Sequence, residues 1–199
     1  MKSNFFNKEV IFTTNSYALF HGIKLSSASR QLSQYHKKHI IEKITRGVWA
    51  NINHPYYNPL VAVPYLLGNE RGYVSFLTAL HSYGIISQIP SRIQIATTGH
   101  CRKLKSSIGY FEFIHLSPQM MMEGISWSQG KNKYLIASPE KALLDTFYIS
   151  TRKGNRFSSL PELDIESLNM KEFKRLIKNT DIQSKMIQAA IRKRIENKL

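Results

Sequence analysis

The stretch "SSASRQLSQYHKKHIIEKITRGVWANI", residues 26–52, decides how the first quarter of this chain is read. If Ser27 to His39 is helical, Ala28, Leu32, Tyr35 and His39 recur at i, i+4, i+7 and i+11 and share one face. Arg30, Ser33 and Lys37 then lie opposite, flanked by Ser26, Ser29 and Gln34, and that outward face holds no acid. An ordinary solvated helix mixes both charge signs. A helix that enters the major groove of DNA needs short polar side chains near its start and donors for bases and phosphates. After it, "IIEKIT", Arg46-Gly47 and "VWANI" predict a two-stranded hairpin with a cation at its tip, as a wing along a phosphate backbone would have. The alternative is a solvated helix followed by a scaffold hairpin.

Upstream, "TTNSYALFHGIKLSS" predicts a shorter amphipathic helix, with Tyr17, Ala18 and Phe20 available to pack and Gly22 to end it. Helix, turn, helix and hairpin make a winged helix-turn-helix within residues 1–52. Arg30 and Gln34 are then expected to read bases. Lys37, Lys38 and Arg46 are expected to hold phosphates, and Ser26, Ser29 and Ser33 complete the DNA-binding set.

Charge points the same way. The 199 residues include 28 Lys and Arg against 13 Asp and Glu, a net +15. Such a surplus favours polyanions, nucleic acid first and an anionic membrane second. Residues 1–60 hold eight bases against two acids, 61–150 eight against five, and 151–199 twelve against six. Both ends suit a polyanion, and the middle suits another task. No apolar run reaches the ~18 residues of a membrane span, and "MKSNFFNKEV" lacks the apolar core of a signal peptide, so no membrane role and a cytoplasmic location are expected. The single cysteine, Cys101, excludes an internal disulfide and fits a reducing compartment.

Two breaks divide the chain: "NHPYYNPL" at 53–60 and the polar "STRKGNRFSSLPELD" at 150–164. In between, "NPLVAVPYLLG" and "SFLTALHSYGI" predict helices, the second starting at Ser75 after a short strand "GYV". "RIQIATT", "YFEFIHLS" and "KYLIAS" predict strands. "SPEKALLDTFYIS" carries a full set of helix-start signals, with Ser138 as N-cap, Pro139 in the first turn and Glu140 beside it. The last stretch predicts two helices parted near Asn179 to Asp181, the second with Ile187, Ile191 and Ile195 on one side. Its cations Lys171, Lys174, Arg175, Lys178, Arg192, Lys193 and Arg194 are candidates for DNA-backbone or partner contact, the alternative being a solvated face. The expected fold class is α+β: a winged helix-turn-helix over 1–52, a mixed α/β domain over 53–150, and a basic linker with C-terminal helices over 151–199.

"HIIEKITRGVWANI", "YVSFLTALHSYGIISQIPSRIQIAT" and "YLIASPEKALLDTFY", in that order, resemble the AbiEi family of type IV antitoxins and related winged-helix regulators. The carrying positions are Arg46-Gly47 before Trp49, Ser75 with Ala79 and Leu80, Tyr83-Gly84, and Ala137-Ser138 with Glu140 to Asp145. Trp49 stands where that family often has Tyr. The resemblance spans roughly residues 5–150. It implies an N-terminal domain that represses its own operon at inverted repeats, and a remainder that counters a co-encoded nucleotidyltransferase-like toxin in abortive infection, with or without direct contact.

Other chemistry finds less support. His36 and His39 at i, i+3, and His100 beside Cys101, lack the second half of a zinc spacing, so no metal is expected, with His39 assigned to the core and His36 to the surface. Glu140 and Asp145 near Lys141 invite a nuclease reading, but Glu112 in "YFEFIH" has no neighbouring Lys, and capping explains Glu140 more simply. There is no Gly-rich phosphate loop and no nucleophile elbow. The run "QMMMEG" suits either packing or a soft partner surface. No catalytic residue and no cofactor are expected. A nucleic-acid-modifying enzyme with a DNA-binding head, and a protein-binding adaptor with nonspecific nucleic-acid contacts, remain the competing functions.

Overall fold

The computed structural model describes residues 5–150, 157, 160–164 and 166–179. After a 3-10 turn at Phe5–Asn7 come β1 (Ile11–Thr13), α1 (Thr14–His21), α2 (Leu25–Lys37), β2 (Glu42–Thr45) and β3 (Val48–Ala50). The strands form one antiparallel sheet in the order β1-β3-β2. α1 starts on a capping box, in which the Thr13 hydroxyl accepts from Ser16 N–H at 3.0 Å and Ser16 Oγ accepts from Thr13 N–H at 3.1 Å. It ends at Gly22, whose left-handed φ of 64° few other residues adopt cheaply. Three residues later α2 begins.

The boundaries of α2 differ from those expected. It runs from Leu25 to Lys37, not from Ser27 to His39, and closes with His39 N–H on the His36 carbonyl and Ile40 N–H on the Tyr35 carbonyl. That closure puts His39 in the left-handed region at φ 55°. His39 is therefore exposed and off the apolar face, whereas His36 is half-buried, its Nδ1 3.1 Å from the Ile41 carbonyl and 3.5 Å from Glu42. His39, expected in the core, is thus at the surface because the helix stops before the fourth position of the stripe, and His36, expected at the surface, is half-buried. Ala28 and Leu32 are fully buried as expected. Phe20, expected to pack, is 45% exposed, although its ring meets Phe5 edge-on at 5.1 Å.

The small sheet is covered on both faces. Phe12 and Trp49 point into a cluster with Phe5, Tyr17, Ala18, Ala28, Leu32 and Ile41 beneath the helices. Ile11, Ile44, Val48 and Ala50 point the other way, into the large core built by the rest of the chain. Alternation along each strand sends neighbours to opposite sides. Trp49 is anchored by its Nε1–H, which donates to Thr14 Oγ1 at 2.9 Å. Polar ties cross the same boundary: Tyr65 Oη donates to the Ile11 carbonyl at 3.0 Å, and Ser107 Oγ to the Lys43 carbonyl at 3.1 Å.

The chain then gives a 3-10 turn at Pro59–Ala62, α3 (Val63–Leu67), β4 (Gly72–Val74), α4 (Phe76–Ser82), β5 (Ile93–Thr97), β6 (Arg102–Ser106) and β7 (Gly109–His115). A 3-10 turn at Pro118–Met121, β8 (Ile125–Trp127), β9 (Leu135–Ala137), α5 (Pro139–Ser150) and α6 (Met170–Asn179) follow. The single helix expected over "NPLVAVPYLLG" is thus split, since Pro64 has no N–H to continue an α-helical ladder from Leu60. Strands β4 to β9 form a mixed sheet in the order β6-β7-β5-β4-β9-β8. The protein is α+β, with two sheets and helices packed on them. No helix among the described residues is long and apolar enough to cross a membrane. The first C-terminal helix appears as α6, lying against α5. Ile187, Ile191, Ile195, Arg192, Lys193 and Arg194 lie outside the described residues.

α5 starts as expected at Ser138, whose hydroxyl accepts from Lys141 N–H at 3.2 Å. Glu140 does more than sit in the first turn: its Oε1 accepts from Asn169 N–H at 2.9 Å and pins the chain entering α6. Beside it, Lys141 and Asp145, one turn apart, form an ion pair with both side chains fully buried. The Asp145 carboxylate also accepts from Tyr73 Oη at 2.9 Å and Ser75 Oγ at 2.7 Å. Burial pushes the Asp145 carboxyl up, against the pull of Lys141 and the two hydroxyls, and burial beside that carboxylate holds the Tyr73 phenol well above its ordinary value.

Removing one partner of such a pair strands a charge in the core. Asp145→Ala is expected to destabilise the protein by about 3–5 kcal/mol. The double variant Lys141→Met, Asp145→Leu leaves no charge behind and is expected to cost less. Urea unfolding of both decides, and equal costs would show that the pair is not the source of the loss.

Candidate nucleic-acid interface

α2 presents Ser26, Ser29, Arg30, Ser33, Gln34 and Lys37 to solvent, and Lys38 follows as its exposed C-cap. At 100° per residue, Ser26, Arg30, Ser33 and Lys37 cluster about one line, with Ser29 and Gln34 on its flanks. Ala28 and Leu32 point into the sheet-side core, so this line faces outward. Ser33 Oγ donates back to the Ser29 carbonyl at 2.8 Å, which leaves its oxygen free only to accept. The first turn of α2 contains no acid. The next acid along the chain, Glu42, is half-buried and turned to His36.

The hairpin β2–β3 stands at the C-terminal end of α2. His36 ties them: it contacts the Ile41 carbonyl and Glu42, and its ring meets Trp49 edge-on at 6.1 Å. The turn between the strands is Arg46-Gly47, where Gly47 takes φ 76° and Arg46 is exposed. His36 thus joins the end of α2 to the base of the hairpin, while the Arg46-Gly47 turn meets the start of α1, where Thr14 N–H donates to the Gly47 carbonyl at 2.9 Å. Trp49, by contrast, is an internal strut and not a surface aromatic.

Several exposed cations beside this group were not singled out from the sequence. Lys43 on β2 lies over the Trp49 ring at 5.9 Å. The bond from Ser107 to the Lys43 carbonyl brings the tip of the β6–β7 hairpin against β2. Two residues from that tip, Lys105 sits over Tyr110 at 5.5 Å, and Lys103 follows on the same face of the strand. Lys103, Lys105 and Tyr110 are all exposed. The signal was present in "RKLKS", whose period-two alternation marks an edge strand guarded by lysines. Arg102 in the same strand is not available: Glu70 takes its guanidinium at 2.7 Å and 2.9 Å, it lies 3.9 Å from the centre of the Phe113 ring, and it holds the Glu70 carboxyl below its usual range.

The cations of α6 belong elsewhere, on the helix that lies against α5. Lys171, Lys174 and Lys178 are exposed and share its outer face. Arg175 is committed to acids, with Glu172 at 2.7 Å and Glu123 at 2.8 Å, which pushes the Glu172 carboxyl down and the guanidinium further up. It is a poor candidate for a phosphate contact.

The Ser75, Tyr73, Lys141 and Asp145 cluster brings a hydroxyl, a phenol, an amine and a carboxylate together. Ser75, Lys141 and Asp145 have no exposed surface, and Tyr73 is 1% exposed, so these groups are closed to a substrate in this conformation. They brace β4 and α5 instead.

No protein-family model matches the chain, and no curated protein matches it either.

The α2 and hairpin cations are expected to act as independent phosphate contacts. Lys37→Ala, Arg46→Ala and Lys105→Ala should each reduce the slope of log K against log salt for a nonspecific duplex by about one unit. Fluorescence anisotropy at several salt concentrations measures this, and an unchanged slope removes the residue concerned from the interface.

Proposed function

We propose that this chain is a DNA-binding transcriptional autoregulator of the winged helix-turn-helix kind, and that it acts as the antitoxin of a type IV toxin–antitoxin system. The observation that carries the DNA-binding part is the acid-free outer face of α2 standing beside a hairpin with Arg46 at its turn. The order β1, α1, α2, β2, β3, with two helices ahead of a hairpin and β3 central in its sheet, supports this reading. In this reading α2 is the recognition helix, with Arg30 and Gln34 toward bases, and the β2–β3 hairpin is the wing. Lys37, Lys38, Lys43 and Arg46 hold phosphates, and Lys103 and Lys105 extend the track onto the second sheet. The partner is double-stranded DNA, the expected operator being an inverted repeat.

The antitoxin part rests on the resemblance to the AbiEi family and on the ordered motifs that carry it. Ser75 and Asp145, two of those motif positions, are hydrogen-bonded to each other at 2.7 Å. They support the shared architecture and touch no solvent. The partner toxin would be a co-encoded nucleotidyltransferase-like protein, countered by the part of the chain beyond Asn53.

Two full-length measurements test the reading separately. Footprinting on the protein's own promoter is expected to show a protected site that is lost in the double variant Arg30→Ala, Lys37→Ala. A wild-type protein that binds no promoter sequence better than random DNA defeats the autoregulator. Co-expression with the neighbouring gene product is expected to restore growth, and the same double variant should still do so. Toxicity that persists with soluble wild-type protein defeats the antitoxin. Point variants are the right tool, because residues 1–52 share a core with the remainder through Ile11, Ile44, Val48 and Ala50.

A further inference from the structure

The methionine run of "QMMMEG" divides in the fold: Met120 is buried, Met121 is half-buried and Met122 is 76% exposed. Met121 lines a hollow of about 440 Å³ between α3 and the β8–β9 hairpin, together with Val63, Leu67, Ile125, Trp127 and Leu135. Trp127 and Leu135 are register partners, so alternation puts them and Ile125 on one face of the large sheet, with Ser126 and Ile136 on the other. α3 is only five residues long and leaves the hairpin side of that face open, where Trp127 is 60% exposed. A second hollow, lined by Met122, Leu176 and Asn179, adjoins the first at Arg71, which borders both. The free charges around this groove have one sign. Glu70 on its wall is taken by Arg102, and Glu123 in the second hollow by Arg175. Arg71, and Lys131 and Lys133 in the β8–β9 connection just past Trp127, are exposed and have no carboxylate partner among the described residues.

We propose that this groove binds an acidic amphipathic helix of a partner protein. Apolar side chains recurring at i, i+3 or i+4 and i+7 fill a trough, and carboxylates on the flanks of the same helix meet Arg71, Lys131 and Lys133. Trp127 is the anchor of such a contact, and Met121 and Met122 adapt to the shape of what enters. Charge and shape select this occupant over the others. A bilayer surface does not fill a hollow, and a nucleobase would set its hydrogen-bonding edge against an aliphatic floor. A symmetric contact between two copies opposes the three free cations to themselves. Residues 180–199 carry five bases against two acids and would bring more positive charge to a rim already cationic. None of the lining residues belongs to α2 or to the β2–β3 hairpin, so the proposal stands apart from DNA binding.

The test selects binders to the full-length chain from a displayed library of random peptides about five helical turns long, then measures the winners as synthetic peptides by fluorescence anisotropy. They are expected to share large apolar residues at helical spacing with Asp or Glu on the flanks. Trp127→Ala and Arg71→Glu should each bind them about tenfold more weakly than wild type, the loss typical of an anchor. Both side chains are exposed, so thermal unfolding of the two variants should match wild type, and Arg30→Ala, Lys37→Ala should bind the peptides undiminished. A library that yields no binder, winners without acids, or affinity that survives Trp127→Ala overturns the proposal. Affinity lost in Arg30→Ala, Lys37→Ala instead places the acidic peptides on α2 and overturns it as well. Three further results reassign the groove and overturn the proposal: competition by single-stranded DNA that depends on Trp127, a lower sedimenting mass in Trp127→Ala, or Trp127-dependent binding of a synthetic peptide of residues 180–199.

Discussion

The fold hangs on a three-stranded sheet that has no free face. Each strand of β1 and β3 alternates its side chains between two cores, Phe12 and Trp49 toward the helices, Ile11, Val48 and Ala50 toward the large sheet. A sheet covered on both sides behaves as interior. Consequently the part of the molecule that carries α2 is not a bead on a string. The angle at which α2 is offered is fixed by the same residues that close the core of the second part. Tyr65 and Ser107 add hydrogen bonds across that boundary, and the Ser107 bond sets the β6–β7 hairpin beside β2. Rigid coupling of this kind favours a basic surface that continues from one sheet to the next.

The distribution of charge gains meaning from that geometry. Counted by segment, the middle of the chain is the least basic, which suggests a part indifferent to polyanions. In three dimensions it divides. Arg102 is taken by Glu70, Arg92 lies 3.7 Å from Glu112, and Lys141 is buried with Asp145. Of those that stay exposed, Lys103 and Lys105 lie at a sheet edge, next to the segment whose cations look outward. Net charge along a chain is blind to pairing, and pairing decides which cations a polyanion can meet.

Much of this architecture is legible in the sequence, for identifiable reasons. α5 carries its start signals in three consecutive residues, and α1 carries its stop in Gly22. Strands with branched and aromatic runs, such as β5 and β7, announce themselves. What escapes is short or cooperative. β1 is three residues long, and β8 is equally brief, so neither has the length for a periodic signal. The end of α2 escapes because His39 adopts a left-handed φ, which histidine takes more readily than most residues but which no glycine announces here. The candidate interface was legible on α2 and at Arg46, whose exposure follows from helix period and turn position. Lys103 and Lys105 join it through a contact between residues 64 apart in the chain, which no local pattern carries.

The buried pair of α5 has a consequence for how this sequence can drift. Lys141 and Asp145 lie one turn apart, with Gly124 crowded against the stem of Lys141 and the hydroxyls of Tyr73 and Ser75 aimed at the carboxylate. Every single replacement of either ion by an uncharged residue passes through a chain with one orphaned charge in its interior. The apolar alternative lies on the far side of a valley that must be crossed in two simultaneous steps. The cluster is thus held in place by the cost of its intermediates rather than by its own net worth, a lock on lineage that operates whether or not it contributes to function.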